Sequence, residues 1–157
     1  MATQQPTSGA VIATIGTDSD QVVVDRASAI ARAEGRRLVL IDRHAETITG
    51  ATPYNDWRGD DDYRPSPDAT VDSAIARREG RNDLAAHLES LERTEVDAGG
   101  WFPTEAGLDG IRDAIETFGG EVLVVPVAVR DPGIGDRLRG VSLSSLEELP
   151  VRLVLAE

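Results

Sequence analysis

A glycine-containing loop follows the most strongly apolar segment of the chain, EVLVVPVAV at residues 121 to 129. The glycines of this loop are Gly133, Gly135 and Gly140. Because glycine adopts positive φ at little cost, such a loop lets its backbone approach a bound phosphate closely. Arg130 and two further arginines would add charge-assisted hydrogen bonds. The alternative is a plain turn whose arginines offset neighbouring acids.

A second candidate anion site follows the first apolar segment, AVIAT at residues 10 to 14. Gly16 and Thr17 stand between this segment and an expected helix, whose first N–H groups can bind an anion. The loop is not a Walker loop, because the Gly-Lys-Ser/Thr ending is missing and the chain contains no lysine. The alternative is that the polar residues here only cap the helix.

Polar residues also follow the second apolar segment, RLVLI at residues 37 to 41. Asp42 and His44 are two residues apart, a spacing that would allow acid–base chemistry or contact with a ribose. A polar end of a strand is the simpler interpretation.

Other chemistries are not indicated. The chain has no cysteine, and its two histidines, His44 and His87, form no recognisable metal-ligand pattern. No nucleophile motif such as Gly-x-Ser-x-Gly is present. We therefore predict that the protein is not an enzyme, with no catalytic residues and no metal site.

The charge balance is strongly acidic. The chain has 28 acidic and 16 basic residues, a formal net charge of −12, and every basic residue is arginine. Such a surface repels nucleic acid unless basic residues cluster locally, so we expect no nucleic-acid partner. Acidic, lysine-free composition is typical of halophilic proteins, whose surroundings screen charge within a few ångströms. A GC-rich genome is the alternative explanation.

The length of 157 residues fits one domain, predicted to span residues 1–157. No apolar run approaches the roughly 20 residues of a membrane span, and the first residues lack a signal-peptide pattern. We therefore expect a cytoplasmic protein that does not associate with membranes. Residues 43–67 are rich in glycine, proline and aspartate, which predicts a long surface loop.

Apolar segments and helical patterns alternate along the chain. Strands are expected at residues 10–14, 37–41, 95–102, 121–129 and 151–156. Five helices are expected. The first ends near residue 34, the second lies around 71–75, the third and fourth begin after residues 82 and 104, and the fifth lies around 138–149. This order predicts an α/β fold in which helices cover both faces of a parallel sheet. Ligands of such sheets bind beyond the carboxyl ends of the strands, where the strand order reverses.

The chain resembles the universal stress protein family over nearly its whole length. VIATIGTDSDQVVVDRASAIARAEGRRLVLI resembles the first strand–helix–strand unit of that family, and VLVVPVAVRDPGIGDRLRGVSLSSLEELPVRLVLAE resembles its last. The resemblance implies a single-domain three-layer sandwich with a five-stranded parallel sheet of order 3-2-1-4-5. It also implies a homodimer formed through strand 151–156.

Nucleotide-binding members of that family carry Gly, two residues, Gly, nine residues, and Gly followed by Ser or Thr. With the last glycine placed on Gly140, the first two fall on Val127 and Arg130, and the hydroxyl position falls on Val141. Ser142 is the next residue. A Cβ at the first two positions narrows the room for phosphates against the backbone.

The remaining positions of the family site match the chain only in part. Gly133 matches a further glycine common in that loop. The Asp that usually ends the first strand is replaced by Ile15, followed by Gly16 and Thr17. The candidate nucleotide or anion site therefore comprises Gly16, Thr17, Asp42, Val127, Arg130, Gly133, Gly140 and Ser142.

The resemblance and these departures together predict a non-enzymatic, dimeric regulatory or stress-response protein with a degenerate or absent ATP site. It would need no cofactor and would act through protein partners. The alternative is a sensor that binds ATP or AMP with the altered loop 127–142. An enzyme of the wider adenine-nucleotide α-hydrolase-like group is a third hypothesis, which the missing nucleophile and metal motifs disfavour.

Overall fold

A five-stranded parallel sheet forms the centre of the fold. The structure is a computed structural model that describes residues 9–16, 19–43, 70–103, 105, 107–130 and 140–157. The strands are β1 (Ala10–Ile15), β2 (Leu38–Asp42), β3 (Ala98–Trp101), β4 (Gly120–Pro126) and β5 (Arg152–Ala156). Their order is β3-β2-β1-β4-β5, and all four pairings are parallel, which confirms the predicted sheet.

Helices cover both faces of the sheet. They are α1 (Asp20–Glu34), α2 (Ser73–Arg78), α3 (Asn82–Arg93), α4 (Gly107–Phe118) and α5 (Leu143–Glu147). Side chains of α1, α2 and α3 share one buried cluster with Val11 and Ala13 of β1, whereas α4 and α5 share a second cluster with Ile12. Successive strand residues thus enter opposite cores, giving three layers. None of these helices is long and apolar enough to cross a membrane.

Several predicted boundaries were wrong by a few residues. β4 ends at Pro126, and residues 127–129, expected in the strand, form a 3₁₀ helix, Val127–Arg130. A proline has no N–H to donate to a continuing ladder, which favours the end of the strand there. Helix α5 begins only at Leu143, and β3 only at Ala98. The predicted surface loop 43–67 lies almost wholly outside the described residues.

The two edges of the sheet differ. At the β3 edge, Val71 exchanges backbone hydrogen bonds of 2.8 and 2.9 Å with Gly100, in antiparallel orientation. A Cβ on Gly99 would lie 2.4 Å from Thr70, so glycine permits this close approach. At the other edge, no strand within the described ranges pairs with the outer side of β5.

A charged network joins the end of α1 to the amino ends of the strands. Arg36 donates hydrogen bonds to Glu34 (2.8 Å) and to the carbonyl of Gly9 (2.8 Å), and it lies 3.4 Å from Glu121. Arg152, the first residue of β5, also donates to Glu34. Hydrogen bonds from Arg36 and then Arg152 lower the pKa of the Glu34 carboxyl below its ordinary value.

Replacement of Glu34 by glutamine is expected to lower stability at neutral pH and to flatten its decline in acid. The folded-state pKa of Glu34 lies below the ordinary 4.5, so its stabilisation is present above that value and is lost as the pH falls through the folded-state pKa. Urea unfolding of Glu34→Gln and the unchanged chain, between about pH 7 and about pH 3, measures this difference. Glu147→Gln, at an exposed position of α5, is the control. Parallel pH profiles for the unchanged chain and Glu34→Gln would contradict the expectation.

Candidate functional site

The candidate site lies at the carboxyl edge of the sheet, between β1 and β4, where the strand order reverses. The β1–β2 register places Ile15 beside Asp42, and the β1–β4 register pairs Ala13 with Val124. β1 ends two residues after Ala13, at Ile15, and β4 ends two residues after Val124, at Pro126. The structure therefore brings Gly16, Asp42 and Val127 to one edge, as the order of elements predicted.

The backbone N–H of Gly16 is already bonded. It donates to Oδ1 of Asp20, in the first turn of α1, at 2.8 Å. Gly16 has a φ of 109°, a conformation that favours glycine. The carboxylate of Asp20 thus occupies the position at this N–H that an anionic ligand would take. Thr17 lies outside the described residues.

Asp42, the last residue of β2, is fully buried and is held by Arg81. Arg81 Nε donates to Oδ2 at 2.5 Å, and Nη2 donates to Oδ1 at 3.0 Å. Arg81 is the N-cap residue of α3, and its side chain is 11% exposed. The two parallel bonds form the bidentate arrangement that matches a guanidinium to a carboxylate.

This pairing has a structural consequence. A buried carboxylate without a cation would have an uncompensated desolvation penalty. The bidentate arginine offsets this penalty with two charge-assisted hydrogen bonds. The pair also ties the α2–α3 hairpin to the end of β2, next to the candidate site. Asp42 is therefore engaged within the protein and does not present its two carboxylate oxygens to a ligand.

Val127 and Arg130 occupy the 3₁₀ helix that follows β4. Val127 is partly exposed and Arg130 is exposed, while Val129 between them packs into the core shared with α4 and α5. At both positions expected to hold glycine in a nucleotide site, the backbone therefore carries a side chain in a turn anchored by a buried valine. Gly133 lies outside the described residues.

Gly140 and Ser142 precede α5; the prediction that they sit inside the helix was wrong. Ser142 is the N-cap residue, and its Oγ accepts a hydrogen bond from the N–H of Ser145 at 3.2 Å. In return, Oγ of Ser145 accepts from the N–H of Ser142 at 3.0 Å, completing a capping box. Gly140 has a φ of 78°, so this position needs glycine for its conformation.

Two residues that bond to groups of this edge were not predicted from the sequence. Asp20 stands four residues after Gly16, a spacing that offers little to distinguish it in an acidic chain. Arg81 follows Gly80 at a helix start and is 39 positions from Asp42. Serine is a preferred N-cap residue, so Ser142 directly before Leu143 was a sequence indication of the cap. The described residues contain no group of three side chains placed to hold a metal.

No protein-family model matches the chain, and no curated protein sequence matches it. Solved structures do match. A universal stress protein in complex with cAMP is 18% identical, with 96% of this chain and 97% of that chain covered and a TM-score of 0.59.

Two further structures agree. The universal stress protein from Archaeoglobus fulgidus in complex with dAMP is 12% identical, with 95% of this chain and 98% of that chain covered and a TM-score of 0.56. A universal stress family protein from Burkholderia pseudomallei is 18% identical, with 94% and 96% covered and a TM-score of 0.51. The chain therefore has the universal stress protein fold, as the resemblance implied.

Removal of the Arg81 guanidinium is expected to destabilise the fold strongly. Arg81→Met removes the bidentate guanidinium from the buried Asp42 carboxylate, at a cost of up to about 3–5 kcal/mol. The double variant Asp42→Leu/Arg81→Met, which removes both charges, should recover most of that loss. Chemical unfolding at fixed salt gives the three free energies.

Arg77→Met is the matched control, because it breaks a half-exposed pair with Glu89 and should cost at most about 1 kcal/mol. Equal losses for Arg81→Met and Arg77→Met, or a double variant no more stable than Arg81→Met, would contradict the central place given to the buried pair.

Proposed function

We propose that this chain is a non-enzymatic, universal-stress-type regulatory or stress-response protein whose ATP site is degenerate. The observation that supports this most is that polar groups at the carboxyl edge are bonded within the protein. The Gly16 N–H bonds to Asp20, Asp42 bonds to Arg81, and the Ser142 hydroxyl caps α5.

A nucleotide would have to displace these contacts. Hydrogen bonds to charged groups contribute about 1.5–3 kcal/mol each, so releasing Asp20 or Asp42 would reduce the binding energy left for the ligand. Ile15 is buried in the core and offers no acceptor for a ribose hydroxyl. The protein would then act through partner proteins, without a cofactor. The expected cytoplasmic location and halophilic origin stay predictions.

A sensor of ATP or AMP is the second candidate. It is favoured by the two neighbouring structures solved with cAMP and with dAMP, which share this fold. Arg130, exposed after β4, would then contribute a charge-assisted hydrogen bond to a phosphate in place of backbone N–H groups.

Purified chain is expected to release no stoichiometric nucleotide on denaturation and to show no calorimetric binding of ATP or AMP at millimolar concentration. Mass spectrometry of the released fraction and titration in molar KCl measure this. The positive control is the Archaeoglobus fulgidus protein solved with dAMP. The double variant Val127→Gly/Arg130→Gly opens the loop backbone and tests whether those two side chains alone prevent binding.

Stoichiometric nucleotide in the unchanged chain would reject the degenerate site and favour the sensor. In that case Arg130→Ala should weaken AMP about tenfold and leave adenosine unaffected, because only AMP has a phosphate for the guanidinium.

We also propose a homodimer through the edge of β5, within strand 151–156. The outer backbone groups of this strand have no strand partner in the described part of the chain, and three partly buried apolar residues follow one another: Leu153, Val154 and Leu155. An open apolar edge invites pairing with another strand. A two-fold axis near Val154, the middle residue, would pair two copies antiparallel.

Leu153→Arg is expected to convert the dimer to a monomer, because it places a charge within the apolar edge. Light scattering coupled to size exclusion measures the mass. Ala86→Arg, which adds the same charge at an exposed position of α3, should remain dimeric. Circular dichroism confirms that each variant is folded. A folded Leu153→Arg variant with unchanged dimer mass would contradict the β5 interface.

A further inference from the structure

The edge of β5 is too small to hold a dimer by itself. Five residues extend about 17 Å, and a strip about 10 Å wide along that length has an area on the order of 200 Å². Stable, specific dimers bury roughly 800 Å² on each partner. If β5 pairs with a second copy, surfaces flanking the strand must therefore take part.

A groove with exposed apolar surface lies directly beside β5. It has a volume of about 560 Å³ and is bounded by one side of α1 and the last residues of the chain. Its lining residues are Val22, Asp25, Arg26, Ala29, Leu155, Ala156 and Glu157. Val22 is 37% exposed and is the only large hydrophobic side chain of the described residues classed as exposed.

The sequence of α1 gives this exposure no local explanation. Val23 and Val24, the next two residues, are buried in the core that α1 shares with β1, so Val22 points away from that core. Its position in the same groove as Leu155 and Ala156 makes the apolar surface of the helix continuous with that of the open strand.

The charges of the groove suit contact with a second copy. Two copies of a chain with net charge −12 repel one another, and a purely acidic contact would add to that repulsion. Asp25 and Glu157 are acidic and Arg26 is basic, so the groove carries both signs. In a two-fold interface each patch meets its own copy, so a patch with both signs can be self-complementary.

We infer that the groove formed by α1 and β5 is the second part of a homodimer interface, occupied by the same groove of a second copy. Val22 packs against the apolar floor of the opposing groove, and Asp25 and Arg26 pair across the two-fold axis. This inference rests on the proposed β5 dimer and extends it from a strand pairing to a contact between helices. It predicts that helix α1 determines dimer affinity.

Val22→Arg tests the apolar contact. Sedimentation velocity across a dilution series in molar KCl is expected to show a dimer dissociation constant at least about tenfold higher than that of the unchanged chain. The matched control is Ala86→Arg, which adds the same charge at an exposed position of α3 and does not line the groove. Ala86→Arg should dimerise like the unchanged chain.

A charge exchange tests the polar contact at lower salt. Asp25→Arg alone should weaken dimerisation, and Asp25→Arg/Arg26→Asp should restore it, because the double variant again presents both signs. Unfolding free energies measured on the monomeric Leu153→Arg background exclude an effect of these changes on folding.

The outcomes separate the two proposals. A dimer that Leu153→Arg disrupts but Val22→Arg leaves unchanged would overturn the helix contact and leave the β5 pairing intact. A dimer that neither change affects would place the interface elsewhere and overturn both. A chain that is monomeric at every concentration would reject the dimer itself, and the inference with it.

Discussion

Burial of the central strands on both faces is the constraint on which the rest of the structure depends. β1 and β4 carry side chains into two separate cores, so both need helices above and below, and only parallel strands joined by crossover helices provide them. Because all five strands run in the same direction, their carboxyl ends meet at one edge. The candidate site is formed at that edge because the carboxyl ends of β1, β2 and β4 lie side by side there.

Several polar groups at this edge are bonded within the protein. Asp20, Arg81 and Ser145 each satisfy a group that a ligand would use, so the carboxyl edge is stabilised from within. Replacing a buried charge pair by apolar residues is often neutral or stabilising, whereas removing one partner alone is costly. The pair between Asp42 and Arg81 joins the α2–α3 hairpin to the end of β2. Two neighbouring structures were solved with cAMP and with dAMP, whereas the internal bonds in this chain support the proposal of a degenerate site.

The two edges of the sheet differ in whether their outer backbone groups are hydrogen-bonded. The β3 edge is covered by Val71, and the neighbouring Thr70 approaches closely because Gly99 has no side chain. The β5 edge has no such cover in the described part of the chain, and the exposed Val22 stands beside it. A net charge of −12 favours dispersed molecules, and the apolar surface at this edge is the basis of the proposed dimer.

The order of strands and helices, and the glycine stop of α1 at Gly35, could be predicted from the sequence because they depend on local periodicity and backbone preference. The strand order itself came from the family resemblance. Residue types also located the candidate edge. Only the tertiary structure decided which of its groups are engaged: Asp42 meets an arginine 39 positions away, and that contact depends on how a helical hairpin packs against the sheet. Local sequence specifies which polar groups a segment carries, whereas their partners are set by long-range packing.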